Sequence, residues 1–95
     1  MAIVNFKDAR CEALFQRRRP GKGFPVDLER IVQRKLAMLD AAERLDDLRF
    51  PPGNRLEALK RDRAGQHSIR ANDQFRLCFV WTGQGPADVE LVDYH

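Results

Sequence analysis

The sequence predicts a single small α+β domain. Two N-terminal helices should pack on one face of a four- to five-stranded, mainly antiparallel sheet. Three observations carry this. Leu28, Ile31, Val32, Leu36, Leu39 and Ala42 recur at the spacing of a helix with one apolar stripe. Phe75, Leu77, Phe79 and Trp81 alternate with Arg76, Cys78 and Val80, the period of a strand with one buried side. The chain has 95 residues, enough for one domain with a modest core.

The elements follow in order. "IVNF" reads as a short first strand. In "KDARCEALFQRR", Cys11, Leu14 and Phe15 stand at helical spacing and predict a short amphipathic helix. "RPGKGFP" must break it, because Pro20, Gly21, Gly23 and Pro25 continue a helix poorly. Asp27 is placed to cap the second helix, expected over residues 27–45. "RFPPGNR" ends that region with Pro51, Pro52 and the turn pair Gly53-Asn54. "RLEAL" and "QHSIRA" are short strand candidates. "AND" is expected to make a tight hairpin turn, since Asn72 and Asp73 tolerate left-handed backbone angles. After the long strand, "TGQGPA" turns the chain, and Val89 and Leu91 then alternate with Glu90, Val92 and Tyr94. The apolar side of the long strand should face the helices, leaving Arg76 on an open face.

Composition narrows the function classes. No apolar run is long enough to span a membrane. The N-terminus lacks the basic and apolar regions of a secretory signal, so a cytoplasmic location is expected. Two cysteines are too few for a disulfide framework and read as reduced thiols. With two histidines and two cysteines scattered, neither a metal site nor any other cofactor is expected. The net charge is only +3, but the cations are clustered. Arg17, Arg18, Arg19 and Lys22 stand together without an anion, and Lys60, Arg61, Arg63 and Arg70 face Asp62 alone. Such clusters suit a polyanion, of which phosphate is the commonest.

The chain ends in Asp93, Tyr94 and His95, three proton-handling side chains after a strand. With Arg76, Lys60, Arg61 and Arg63 they would frame a shallow cationic groove on the open face. Phosphodiester cleavage needs such a set: a base, an acid and cations for the phosphate charge. A neighbouring 2′-hydroxyl as nucleophile would make a metal unnecessary. Each residue also has an ordinary structural reading. A terminal histidine is usually solvated, Tyr94 can pack at a sheet edge, and Arg76 can form a structural ion pair. Glu57 can be a strand carboxylate or a general base. His67 can be a half-buried strand histidine or a base-stacking one. Only convergence on one face argues for function.

Over its whole length the chain resembles the HigB toxins of bacterial type II toxin–antitoxin systems, in the RelE/ParE superfamily. "LEALK.DR.GQ.SIR.ND" and the terminal "DYH" carry most of the likeness, supported by "VNFKDARCEALF", the long helix and "PPGNRLEALK". The resemblance implies a RelE-like fold and metal-independent cutting of mRNA at the ribosomal A site. It implies a helix-turn-helix antitoxin of the HigA type, with operator DNA bound only through the toxin–antitoxin complex. It carries catalytic roles to Asp93, Tyr94, His95, Lys60 and Arg76, and places RNA contacts in the basic loop that holds Lys60, Arg61 and Arg63, with His67, Arg70 and the 17–22 cations beside it. Where some family members read Leu-His-Pro-Leu-Lys, this chain reads "LEALK", so Glu57 stands at the histidine position and the general base is left open. Arg61 replaces a frequent glycine and His67 a frequent aromatic. The superfamily also contains toxins that poison DNA gyrase without cutting RNA. A weakly active toxin kept for operon regulation is a further alternative.

Overall fold

The computed structural model describes residues 1–93. Helix α1 spans Ala9–Phe15 and helix α2 spans Val26–Ala41. Short 3-10 turns at Leu45–Arg49 and Pro52–Asn54 lead to strand β1 (Glu57–Ala58). Strands β2 (His67–Arg70), β3 (Phe75–Thr82) and β4 (Gly85–Asp93) complete a four-stranded sheet, ordered β1-β2-β3-β4 and antiparallel throughout.

The predicted core forms as the periodicities require. Leu28, Val32, Leu36 and Leu39 of α2 and Cys11 and Leu14 of α1 are buried against Ile69, Leu77, Phe79, Val89 and Leu91 of the sheet. Phe75 and Trp81 pack at the margin of this cluster. Hydrophobic burial on one sheet face, with two helices covering it, is therefore the main source of stability.

Four local expectations are corrected. Residues 3–6 do not form a strand. They run along β4 with one parallel bridge, Phe6 to Val89, and the backbone bonds Val4 to Pro86 and Lys7 to Val89. A full ladder cannot form there, because Pro86 has no N–H and β4 is bulged. At the bulge, Cys78 pairs with Glu90 and Val80 with Ala87, so Asp88 and Val89 face Phe79 alone. Asp88 takes a left-handed φ of 53°, and the Asn5 side chain bonds both its backbone N–H and its carboxylate. Gly85, at φ 131°, lets the same segment pass: a β-carbon there would collide with the Ala2 carbonyl.

Helix α2 begins at Val26 after Pro25, so Asp27 lies inside the first turn rather than at the cap. There its charge still favours the helix dipole. The helix stops at Ala41, before residue 45, because the Asp47 carboxylate takes the Glu43 and Arg44 N–H groups for a separate 3-10 turn. The β2–β3 connection also differs in mechanism. Neither Asn72 nor Asp73 has a positive φ; instead the Asn72 side-chain oxygen accepts from the Gln74 and Phe75 N–H groups.

Asp8 ties the helical layer to the sheet. Its carboxylate caps α1 through the Arg10 N–H, pairs with the Arg10 guanidinium at 2.8 Å and accepts from the Leu91 N–H at 3.2 Å. Burial pushes this carboxyl upward, but the Arg10 side chain and the two backbone N–H groups outweigh it and hold the pKa below the usual carboxylate range. A depressed folded-state pKa gives stability that is present above the unfolded value and is lost as pH falls through the folded one. Asp8→Ala is expected to destabilise the protein by about 1–2 kcal/mol at pH 7. Its deficit relative to wild type should shrink as denaturation is repeated from pH 4 downward.

Candidate functional site

The open face of the sheet is set by register. Glu57 lies opposite Ser68, Ser68 opposite Cys78, and Arg70 opposite Arg76, so these side chains share one face. At its end, between the β2–β3 turn and the residue following the Pro52–Asn54 turn, lies a groove of about 310 Å³. Arg55, Glu57, Arg70, Asn72, Asp73 and Arg76 line it.

Arg76 is the fixed centre. Its Nε donates to Ser68 Oγ at 2.7 Å and its Nη2 to the Arg55 carbonyl at 2.6 Å. Glu57 lies 3.9 Å away, with Arg76 12% exposed and Glu57 55% exposed. The guanidinium is thus held by neutral acceptors while its nearest carboxylate is loose and solvated. Arg55 takes a left-handed conformation, φ 46° and ψ 56°, unusual for a non-glycine residue. Asn54, fully buried, anchors it: Nδ2 donates to the Leu48 and Phe50 carbonyls and Oδ1 accepts from Lys35. Burial, with the nearby Arg34 and Arg70 guanidiniums, holds Lys35 below the usual lysine range. Three arginines against two carboxylates leave the groove cationic.

The structure gathers some predicted site residues and separates others. Arg76, Arg70 and Glu57 line the groove together. Asp93 does not line it: β4 ends with Asp93 opposite Phe75, on the helix-facing register rather than that of Arg76, and the Gln74 amide donates to its carboxylate at 3.0 Å. Tyr94 and His95 lie outside the described residues. Lys60 and Arg61 are exposed at a 3-10 turn and do not line the groove. Arg63 lies over the open face but is engaged by Gln66 at 3.1 Å and Glu90 at 3.3 Å. His67 is half-buried on the helix-facing side, stacked on Phe79 at 6.4 Å, with Nδ1 unbonded among the described residues. Arg17, Arg18, Arg19 and Lys22 belong to the α1–α2 connection, where Arg19 and Lys22 border a separate hollow with Phe24 and Val26.

Sequence reasoning missed Arg55, Asn72, Asp73 and Ser68. Hairpin register would have found Ser68, because pairing across "AND" sets it on the Arg76 face. Arg55 carried no periodic signal, since its place depends on how Asn54 is buried. Cys78 also belongs to this face but is buried; burial raises its pKa, and Arg63 and Arg76 offset that only in part while Glu90 adds to it. Neither thiol is poised as a nucleophile, since burial raises Cys11 as well. Among the described residues, no three His, Cys, Asp or Glu side chains gather as a metal site, and no helix is long and apolar enough to cross a membrane.

Comparison with known proteins is consistent along the chain. Residues 4–95 match a family model described as the RelE-like toxin of type II toxin–antitoxin system HigB. Toxin HigB-1 of Vibrio cholerae serotype O1 is 42% identical over 92 residues, covering 97% of this chain and 96% of the relative. An uncharacterised protein of Haemophilus influenzae is 36% identical over 77 residues, covering 81% and 76%.

Proposed function

Since the chain belongs to the HigB family of RelE-like toxins of type II toxin–antitoxin systems, we propose that it is an endoribonuclease cutting translated mRNA in the ribosomal A site. Family membership implies an antitoxin partner; in this reading it is a HigA-type helix-turn-helix protein, and the toxin acts in the cytoplasm, where translation occurs. The observation that supports cleavage most directly is the arginine groove on the open sheet face, with Arg76 held by neutral acceptors.

In the proposed reaction a base removes the proton from a 2′-hydroxyl, whose oxygen attacks the adjacent phosphorus. The bond to the 5′-oxygen breaks, and an acid returns a proton to that oxygen. Arg76 and Arg70 face the phosphate and offset the charge that grows on its oxygens. Asp93, Tyr94, His95 and Glu57 are the proton-handling groups available. Lys60 and Arg61, exposed outside the groove, would meet flanking phosphates, as would the cations at 17–22 on ribosomal RNA. The ribosome would hold the message in line and supply much of the geometry, so the isolated protein should cut slowly.

Primer extension on cellular mRNA after brief induction tests this reading. Wild type should give cuts in translated frames, and a Tyr94→Ala, His95→Ala variant should lose them and relieve growth arrest. Arrest without cuts, or cuts that persist in the double variant, would overturn the assignment. The first result would move the search to a bound target such as gyrase.

A further inference from the structure

We infer that Asp73 is a detachable counter-ion of Arg70 that sets how tightly the groove takes an RNA phosphate. This rests on the groove being the RNA site. Two of the groove's three arginines are treated differently by their surroundings. Arg76 is committed to the Ser68 hydroxyl and the Arg55 carbonyl, and its nearest carboxylate stays at 3.9 Å. Arg70 instead gives its guanidinium to the Asp73 carboxylate, in a direct ion pair three residues apart on the β2–β3 turn. Asp73 is 97% exposed, while Arg70 is 33% exposed. It has no other side-chain partner among the described residues.

The turn explains why Asp73 is free to leave. Asn72, not Asp73, bonds the Gln74 and Phe75 N–H groups, so the hairpin keeps its shape without the Asp73 carboxylate. A solvated ion pair contributes little to the fold. The carboxylate occupies a guanidinium N–H that a phosphodiester oxygen would use, because both groups offer anionic oxygens as acceptors for arginine. An incoming phosphate must therefore displace Asp73, and each weak anion meets the same competitor. The protein also contains an internal comparison: Asp46 and Arg49 form an exposed pair at the same spacing, outside the groove.

The test is fluorescence anisotropy of a labelled, 2′-O-methylated single-stranded RNA, which cannot be cut, titrated with the purified full chain at fixed salt. Asp73→Asn should tighten binding by about threefold to fivefold, the worth of an exposed pair. Asp46→Asn removes the same charge elsewhere and should change binding less than twofold. Arg70→Gln should weaken binding, and it leaves the Arg76 hydrogen bonds in place. If Arg70→Gln weakens binding while Asp73→Asn merely matches Asp46→Asn, the counter-ion role is overturned and the groove stands. If Arg70→Gln binds as wild type, the groove is not the RNA site and both readings fall. Thermal unfolding of Asp73→Asn should coincide with wild type, since the side chain is solvated.

Discussion

Arg76→Ala is expected to lower mRNA cutting by about 100- to 1,000-fold, the usual cost of removing one preorganised donor to a developing oxyanion. Arg76 is the natural choice because its position is over-determined. Ser68 and the Arg55 carbonyl hold it, β3 carries it, and only a small part of it meets solvent. Such a group needs little reorganisation when charge grows on the phosphate. Arg76→Lys should recover only a small part of the activity. An ammonium keeps the charge but cannot bond Ser68 and Arg55 and still present a planar edge. Quantified primer extension at matched protein levels checks this, with co-purification of the antitoxin as a report on folding. Cutting by Arg76→Ala within a factor of ten of wild type would remove Arg76 from the chemistry.

The largest stability effect is expected at Asn54, a fully buried polar residue. Its amide satisfies the Leu48 and Phe50 carbonyls, and its oxygen receives the Lys35 ammonium. Asn54→Ala leaves those carbonyls and a partly buried cation without their partner. The cost should be about 2–3 kcal/mol, since each abandoned buried group keeps its desolvation penalty. For a domain of this size that lowers Tm by roughly 10–20 °C. Asn54→Asp should not rescue the protein: a carboxylate satisfies Lys35 but has no N–H for the two carbonyls. Thermal unfolding followed by circular dichroism reads both variants. Because Arg55 follows directly, a milder change here should also lower groove activity before it unfolds the chain.

Much of the fold was legible in the chain. The apolar stripe of α2 and the alternation of β3 are local patterns, and burying them together leaves few arrangements. What failed did so where another group, near or distant in the chain, overrode a residue's own preference. Asp27 has the chemistry of a cap, but the helix starts one residue earlier, after Pro25. "IVNF" has strand propensity, but its partner strand offers Pro86 and a bulge. "AND" has left-handed tolerance, but the Asn72 side chain made that conformation unnecessary.

The site divides in the same way. By itself the sequence determined that Arg76 leaves the core side of a strand and that Asp93, Tyr94 and His95 stand together in the chain. These depend on residue type and on a two-residue period, which neighbours cannot alter. Only the tertiary structure decided which cations share the groove. It brought Arg55 and Arg70 to Arg76, left Lys60 and Arg61 outside, and engaged Arg63 with Glu90. It also gave Arg70 a carboxylate of its own. The physical reason is that register and a buried asparagine place groups far apart in the chain within one hydrogen bond of each other, and no local pattern encodes that distance.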